Sequence, residues 1–186
     1  MTDLTLAVVV LAAGQGTRMK SSRPKVLHSI AGRSLIGHVL ATAGELQPGH
    51  VIAVVRHARD SVVESITDAM PNALIVDQDE IPGTGRAVEV AIAALPADFA
   101  GDVVVVSGDV PLLDAATLRS LIDTHRAASA AATVLSAILD DATGYGRIVR
   151  GSGGEVDRIV EQADASDDER AITEINSGTY VFSVAP

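Results

Sequence analysis

The sequence predicts an α/β fold, a mixed, mainly parallel sheet with helices on both faces. Three observations carry this expectation. Short apolar runs rich in Val, Ile and Ala alternate with longer segments of helical spacing. The runs are almost continuously apolar, as strands buried on both faces must be. The glycines, 16 in all, cluster in the loops rather than inside the periodic segments.

The elements follow in order. Residues 6–11 are the first strand, followed by a glycine-rich loop, and residues 35–46 have helical spacing. Residues 51–55 are a second strand, and residues 59–70 a second helix. Residues 73–76 and 84–95 give the third strand and helix, and residues 102–106 and 115–128 the fourth pair. Asp114 is placed to cap the fourth helix. Residues 132–138 are a fifth apolar run. Right-handed crossovers align the loops after the strands along one sheet edge, where such sheets bind ligands.

Beyond residue 140 the texture changes. Gly144, Gly146, Gly151, Gly153 and Gly154 punctuate short strand-like pieces, residues 164–169 read as an acidic polar loop, and residues 172–182 return to strand-like alternation. The chain stops at Pro186, just after an expected strand, so residues 1–186 read as one incomplete domain.

Composition narrows the function. A chain of 186 residues with 47% apolar content supports one core but not a second full domain. A net charge of −10 argues against nucleic acid and anionic membranes as partners. It leaves room for a small phosphorylated substrate, because a few cations can dominate one cleft. Without cysteine there is no disulfide, thiolate metal site or Cys nucleophile, which is compatible with a cytoplasmic location. Residues 4–13 are too short to span a bilayer, and no basic segment precedes them. The five histidines show no metal-ligand spacing, and His125 is expected on a helix surface.

Chemistry gathers in the loops after the strands. The first reads Leu11-Ala12-Ala13-Gly14-Gln15-Gly16-Thr17-Arg18-Met19, then Arg23-Pro24-Lys25. Glycines after a strand let backbone N–H groups approach an anion. Arg18 offers a fork of donors to phosphate oxygens and Lys25 a compact charge, while small Ala12 and Ala13 leave room for a flat base. The third glycine of a dinucleotide fingerprint and the G-K-[ST] of a P-loop are both missing. Taken alone, Lys25 reads equally as a solvated lysine, and Gly14-x-Gly16 as a turn.

The full string L-A-A-G-x-G-T-R-M-x(4)-P-K resembles the signature of sugar-phosphate nucleotidyltransferases. The resemblance implies a Rossmann-like fold of the nucleotide-diphospho-sugar transferase type. It also implies that Leu11, Ala12, Ala13 and Gly14 contact the base through backbone atoms. Arg18 and Lys25 would then act as catalytic residues, holding the triphosphate and stabilising charge on the transferring group.

After the third strand comes Gln78-Asp79-Glu80-Ile81-Pro82-Gly83-Thr84. The Gln78 amide both donates and accepts, as a pyrimidine edge demands. Gly83 and Thr84 stand at a helix N-terminus with free N–H groups, where Thr84 also reads as a cap. The spacing Q-x(4)-G-T resembles uridylyl-transferring members, in which these residues select uracil. After the fourth strand comes Ser107-Gly108-Asp109-Val110-Pro111-Leu112. A carboxylate there suits Mg²⁺, which binds through few carboxylates plus phosphate oxygens, although an isolated Asp also caps turns. The string resembles the family's metal-binding stretch, with Ser107 and Gly108 bordering the nucleotide. The family's second metal ligand, an Asn on a later segment, has no match here.

The distal order G-Y-G-R-I … I-V-E-Q-x-D-A … E-I-N-x-G resembles the N-terminal half of bacterial bifunctional N-acetylglucosamine-1-phosphate uridyltransferase/glucosamine-1-phosphate acetyltransferases. The resemblance implies that Gly146, Glu161 and Asn176 contact N-acetylglucosamine; by spacing alone, Glu161 and Asn176 read as strand and turn residues. It further implies UTP and N-acetylglucosamine 1-phosphate as substrates, UDP-N-acetylglucosamine as product, and a part in peptidoglycan precursor synthesis. The acetyltransferase half, and the homotrimer it would build, lie outside this sequence. Another sugar phosphate, a cytidylyl donor, or nucleotide binding without turnover are the alternative readings.

Overall fold

The computed structural model describes residues 2–16 and 19–185. It divides into two compact units, Met1–Thr133 with Val181–Pro186, and Val134–Tyr180. The boundary falls a few residues before the change of texture seen in the sequence.

The first unit begins with β1 (Asp3–Ala12), a 3-10 turn at Lys25–Leu27 and a short antiparallel hairpin of β2 (Ser29–Ile30) and β3 (Arg33–Ser34). Then come α1 (Leu35–Glu45), β4 (Pro48–Val55), α2 (Arg59–Ala69), β5 (Leu74–Asp77), α3 (Thr84–Ile92), β6 (Gly101–Ser107) and α4 (Ala115–Ala128). The strands stand in the order β5-β4-β1-β6. β1 pairs in parallel with both β4 and β6, and β4 with β5.

This order follows from the apolar runs. Val8, Val9 and Val10, Ile52 to Val55, and Val103 to Val105 are all fully enclosed. Each such side chain contributes about 1.5–3 kcal/mol by leaving water, so the three most apolar runs lie side by side at the centre. The shorter β5, with its exposed Leu74, stands at the end of that order. The helices add their apolar faces. On α4, Leu118, Leu121, Ile122 and His125 recur at helical spacing and are buried. Asp114 caps α4 as expected, accepting a hydrogen bond from the Thr117 N–H at 2.7 Å. Ser34 caps α1 in the same way, through the Gly37 N–H.

Three expectations are corrected. The helix expected over residues 84–95 ends at Ile92. Its continuation gives way to i→i+3 turns, because Pro96 disfavours helical backbone at the residue before it. The residues 164–169 read as a loop contain Ser166, which caps the short α5 (Asp167–Arg170) in a reciprocal capping box with Glu169. His125 is not on a surface but 1% exposed. Its ring nitrogens hydrogen-bond the hydroxyls of Thr133 at 2.8 Å and Ser183 at 2.9 Å, so a polar ring is buried with its partners supplied.

β7 (Ala132–Ile138) begins in the first unit and runs on into the second. The second unit then holds β8 (Arg147–Arg150) and β9 (Val156–Val160), an antiparallel pair, and most of β10 (Glu174–Val184). β8 pairs antiparallel with β10 at Ile175↔Arg147. Among the described residues, no helix is long and apolar enough to cross a membrane.

Candidate functional site

Strand register decides where the loops meet. Leu11 stands opposite Ser107, Ala12 opposite Val55, and Val55 opposite Asp77. The four strands therefore end level with one another. The segments that follow them, at residues 13–16, 56–57, 78–84 and 108–109, leave from the same edge. β4 and β5 lie on one side of β1 and β6 on the other, so a crevice opens between the loops after β1 and β6, where open α/β sheets hold ligands.

A cleft of about 610 Å³ occupies this edge. Of the residues expected from sequence, Leu11, Ala13, Gly14, Lys25, Gln78, Gly83, Thr84, Ser107 and Asp109 line it. Two do not. Ala12 is buried, with its backbone in the ladder opposite Val55. Gly108 is also buried, and its N–H donates to the Leu11 carbonyl at 2.8 Å, tying the segment after β6 to the end of β1. Arg18 lies outside the described residues.

The first loop turns at Gly16, whose φ of 66° lies in the left-handed region. A Cβ there would stand 2.6 Å from the Lys25 Cβ. Glycine thus lets the loop close onto the lysine. The Lys25 ammonium makes an ion pair with the Asp109 carboxylate, bringing together a cation and an anion that the sequence holds 84 positions apart. Lys25 is more open to solvent than its partner, at 43% against 18% side-chain exposure.

The third loop is built around Gln78, 9% exposed. Its amide nitrogen donates to the carbonyls of Ile81 and Gly83, both at 3.0 Å, and its own N–H donates to Val55 at 2.9 Å. Both amide hydrogens are therefore spent on the loop, and the amide oxygen is the atom left to meet a ligand. Arg86 clamps Asp79 with two hydrogen bonds, holding that carboxyl below the usual range. The cap of α3 is Gly83, with a φ of 117°, and not Thr84. With no side-chain cap on the helix, its first N–H groups remain open beside the cleft.

The sequence reading gives no site role to several cleft residues, Arg56 and His57 among them. Arg56 and His57 follow directly on β4 and line the cleft, and Arg56 donates to the Glu80 carbonyl at 3.2 Å. Their signal was readable, since a cation directly after a buried parallel strand falls on the ligand edge.

Among the described residues no group of three or more His, Asp or Glu stands together as a metal cage. Asp109 is the sole carboxylate among the residues lining the cleft. That donor set fits an ion taking most of its oxygens from phosphate and water, as Mg²⁺ does, and does not fit one needing an all-protein cage.

The second unit brings Gly146, Glu161 and Asn176 together. The Asn176 N–H donates to the Gly146 carbonyl at 2.8 Å, and a Cβ on Gly146 would lie 3.2 Å from Glu161 Oε1. The Asn176 side-chain oxygen accepts from the Gly178 N–H at 2.9 Å. Tyr180, also missed, hydrogen-bonds the Asn176 side chain, and its burial pushes the phenol up. Residues 176 and 180 share one face of a strand, so period-2 alternation would have paired them. Glu161 is exposed and has no ion pair among the described residues.

Comparison with known proteins gives the following. Residues 8–146 match the family model of the MobA-like NTP transferase domain. The chain is similar to the bifunctional protein GlmU of Leifsonia xyli subsp. xyli (strain CTCB07), 65% identical over 185 residues, which is 100% of this chain and 38% of that protein. It is also similar to the GlmU of Clavibacter sepedonicus, 64% identical over 178 residues, covering 96% of this chain and 36% of that one. The chain thus spans well under half the length of the curated relatives it matches. Among solved structures, HddC from Yersinia pseudotuberculosis has a TM-score of 0.72 at 24% identity, covering 95% of this chain and 76% of that one. UDP-glucose pyrophosphorylase complexed with UDP-glucose has a TM-score of 0.74 at 17% identity, covering 97% and 76%. At such identities the two structures share the fold, a mostly parallel sheet flanked by helices.

Proposed function

The chain belongs to the MobA-like NTP transferase domain family, and on that premise we propose that it is the uridylyl-transferring part of a UDP-N-acetylglucosamine diphosphorylase. The reaction joins UTP and N-acetylglucosamine 1-phosphate into UDP-N-acetylglucosamine and releases pyrophosphate. The observation that carries this reading is the meeting of Lys25 and Asp109 at the edge where the glycine loop and the Gln78 loop form one cleft.

In this reading the glycine loop receives the nucleotide. Leu11, Ala13 and Gly14 offer backbone to the base, and the free Gln78 amide oxygen accepts from the uracil N3–H. The open N–H groups at Gly83 and Thr84 face the other edge of the base. Lys25, with Arg18, holds the triphosphate and neutralises charge that develops on it. Asp109 would hold a Mg²⁺ that, when bound, offsets the charge of the phosphates. Gly146, Glu161 and Asn176 bind the hydroxyl and amide groups of the sugar.

The displacement is direct. A phosphate oxygen of the sugar phosphate attacks the α-phosphorus of UTP, and the bond to the β,γ-pyrophosphate breaks. The attacking group is already an anion, so no general base is needed. Catalysis reduces to positioning and charge neutralisation. An acidic chain recruits such anions only where its cations are concentrated, and Lys25 and Arg56 supply that concentration in the cleft.

The test is pyrophosphate release from UTP and N-acetylglucosamine 1-phosphate, compared with other triphosphates and sugar phosphates, alongside calorimetry with UTP. Release that depends on both substrates, and that falls at least a hundredfold in Lys25→Ala and Asp109→Ala, agrees with the proposal. Equal turnover with CTP, or near-normal turnover in both variants, overturns it. UTP binding without any release identifies a nucleotide-binding module instead.

A further inference from the structure

Arg147 lies beside the expected sugar residues, yet none of the chemistry above uses it. It is 2% exposed, the most deeply buried cation among the described residues. Burying a guanidinium is costly unless its donors are all engaged. Here each of its three nitrogens is engaged, but no carboxylate ion pair is among the partners. Nε donates to the Ile172 carbonyl at 2.9 Å. Nη1 donates to the Tyr145 carbonyl. Nη2 donates to Gln162 Oε1 at 2.8 Å and to the Arg170 carbonyl at 3.4 Å.

The choice of partners is informative. Tyr145 directly precedes Gly146, and Gln162 directly follows Glu161. Gln162 Oε1 also accepts the Gly144 N–H at 3.1 Å, so one amide oxygen joins the arginine to the turn before Gly146. The Gly146 carbonyl in turn accepts the Asn176 N–H at 2.8 Å. Gly146 and Glu161 are therefore each one covalent step from a group that Arg147 holds, and Asn176 is one hydrogen bond further, through the Gly146 carbonyl. A structural arginine serving only the β8–β9 pair would have no need to reach residues 145, 162, 170 and 172 together. The planar fork spans these separate segments as a single-headed lysine cannot.

We propose that Arg147 is a positioning residue that fixes Gly146, Glu161 and Asn176 in the arrangement that binds the sugar of the product nucleotide sugar. This rests on the sugar-contact reading given above. Arg147 touches no ligand itself. It sets the geometry of the residues that do, and leaves the uridine end of the ligand alone.

The experiment compares the wild-type chain with Arg147→Lys and Arg147→Met, using UDP-N-acetylglucosamine and UDP as the two probes and amide hydrogen exchange as an independent readout. In Arg147→Lys, affinity for UDP-N-acetylglucosamine is expected to fall about tenfold while affinity for UDP changes less than about twofold. Exchange is expected to speed up at the Gly144 and Asn176 amides and to stay unchanged at Val104 and Val105. Arg147→Met exposes the same carbonyls without a donor. Should it unfold the second unit, the lysine variant still decides the matter. Unchanged exchange and unchanged affinity in Arg147→Lys, or an equal loss for both probes, overturns the proposal. If the wild type does not distinguish the two probes, the sugar-contact reading itself fails, and the exchange data alone then show whether Arg147 orders the turn.

Discussion

Lys25 pairs with Asp109, the carboxylate proposed to hold the metal, and this gives a prediction of unusual sign. A divalent ion arriving alone must displace the ammonium from Asp109. Removing the lysine should therefore strengthen metal binding in the absence of nucleotide. Two charges in contact at an effective dielectric near 20 attract by about 4 kcal/mol. The Lys25 side chain is 43% exposed, so solvent screening reduces this to about 0.5–1 kcal/mol. That corresponds to a gain of about two- to fivefold in affinity. With UTP present the sign reverses, because Lys25 then serves the phosphates, and its loss should weaken the ternary complex about tenfold. The assay is water-proton relaxation enhancement by Mn²⁺, titrated into the wild type, Lys25→Met and Asp109→Asn, with and without UTP. Asp109→Asn should lose the nucleotide-free signal. Weaker or unchanged Mn²⁺ binding in nucleotide-free Lys25→Met would refute the argument that the two ligands compete for one carboxylate.

Other outcomes follow from single contacts. Gly16→Ala places a Cβ against Lys25 at a left-handed backbone position and should cost about 1–2 kcal/mol, seen as a lower urea midpoint together with weaker UTP binding; a midpoint equal to wild type would contradict it. His125→Leu fills similar space but deprives the Thr133 hydroxyl of its partner, so about 1–3 kcal/mol should be lost on urea unfolding. An unchanged stability would mean the hydroxyl finds another acceptor. The Glu169 carboxyl is held at about 2, first by the Ser166 N–H and then by Arg158. Since its folded value lies below the ordinary 4.5, its contribution is complete above that pH and disappears as the pH falls toward 2. Carbon-detected NMR titration should show the Glu169 carboxyl rising toward 4.5 in Arg158→Ala, and no movement would remove Arg158 as a cause.

Legibility differed by element. The central strands were readable because Val8 to Val10 and Val103 to Val106 are apolar without interruption, which leaves little choice but a doubly covered position. The cap at Asp114 was readable because a capping carboxylate acts over three residues. The Ser166–Glu169 box is equally local, but it lies in a run of acidic residues whose composition alone reads as a loop. His125 was misjudged because its partners, Thr133 and Ser183, come from distant segments, and a histidine on a helix carries no mark of which face it occupies.

The sequence by itself determined the α/β alternation, the glycine loop, and the residue types able to hold phosphate, base and sugar. These are properties of short strings, and short strings fix local backbone. Only the tertiary structure decided that Ala12 and Gly108 are buried away from the cleft, that Arg56 and His57 join it, and that both Gln78 amide hydrogens are already engaged. It also decided that Lys25 meets Asp109 and that Arg147 holds the turn around Gly146. Each of these depends on strand register and on contacts between residues far apart in the chain, and a shift of one residue in register would turn the same side chains to the opposite face of the sheet.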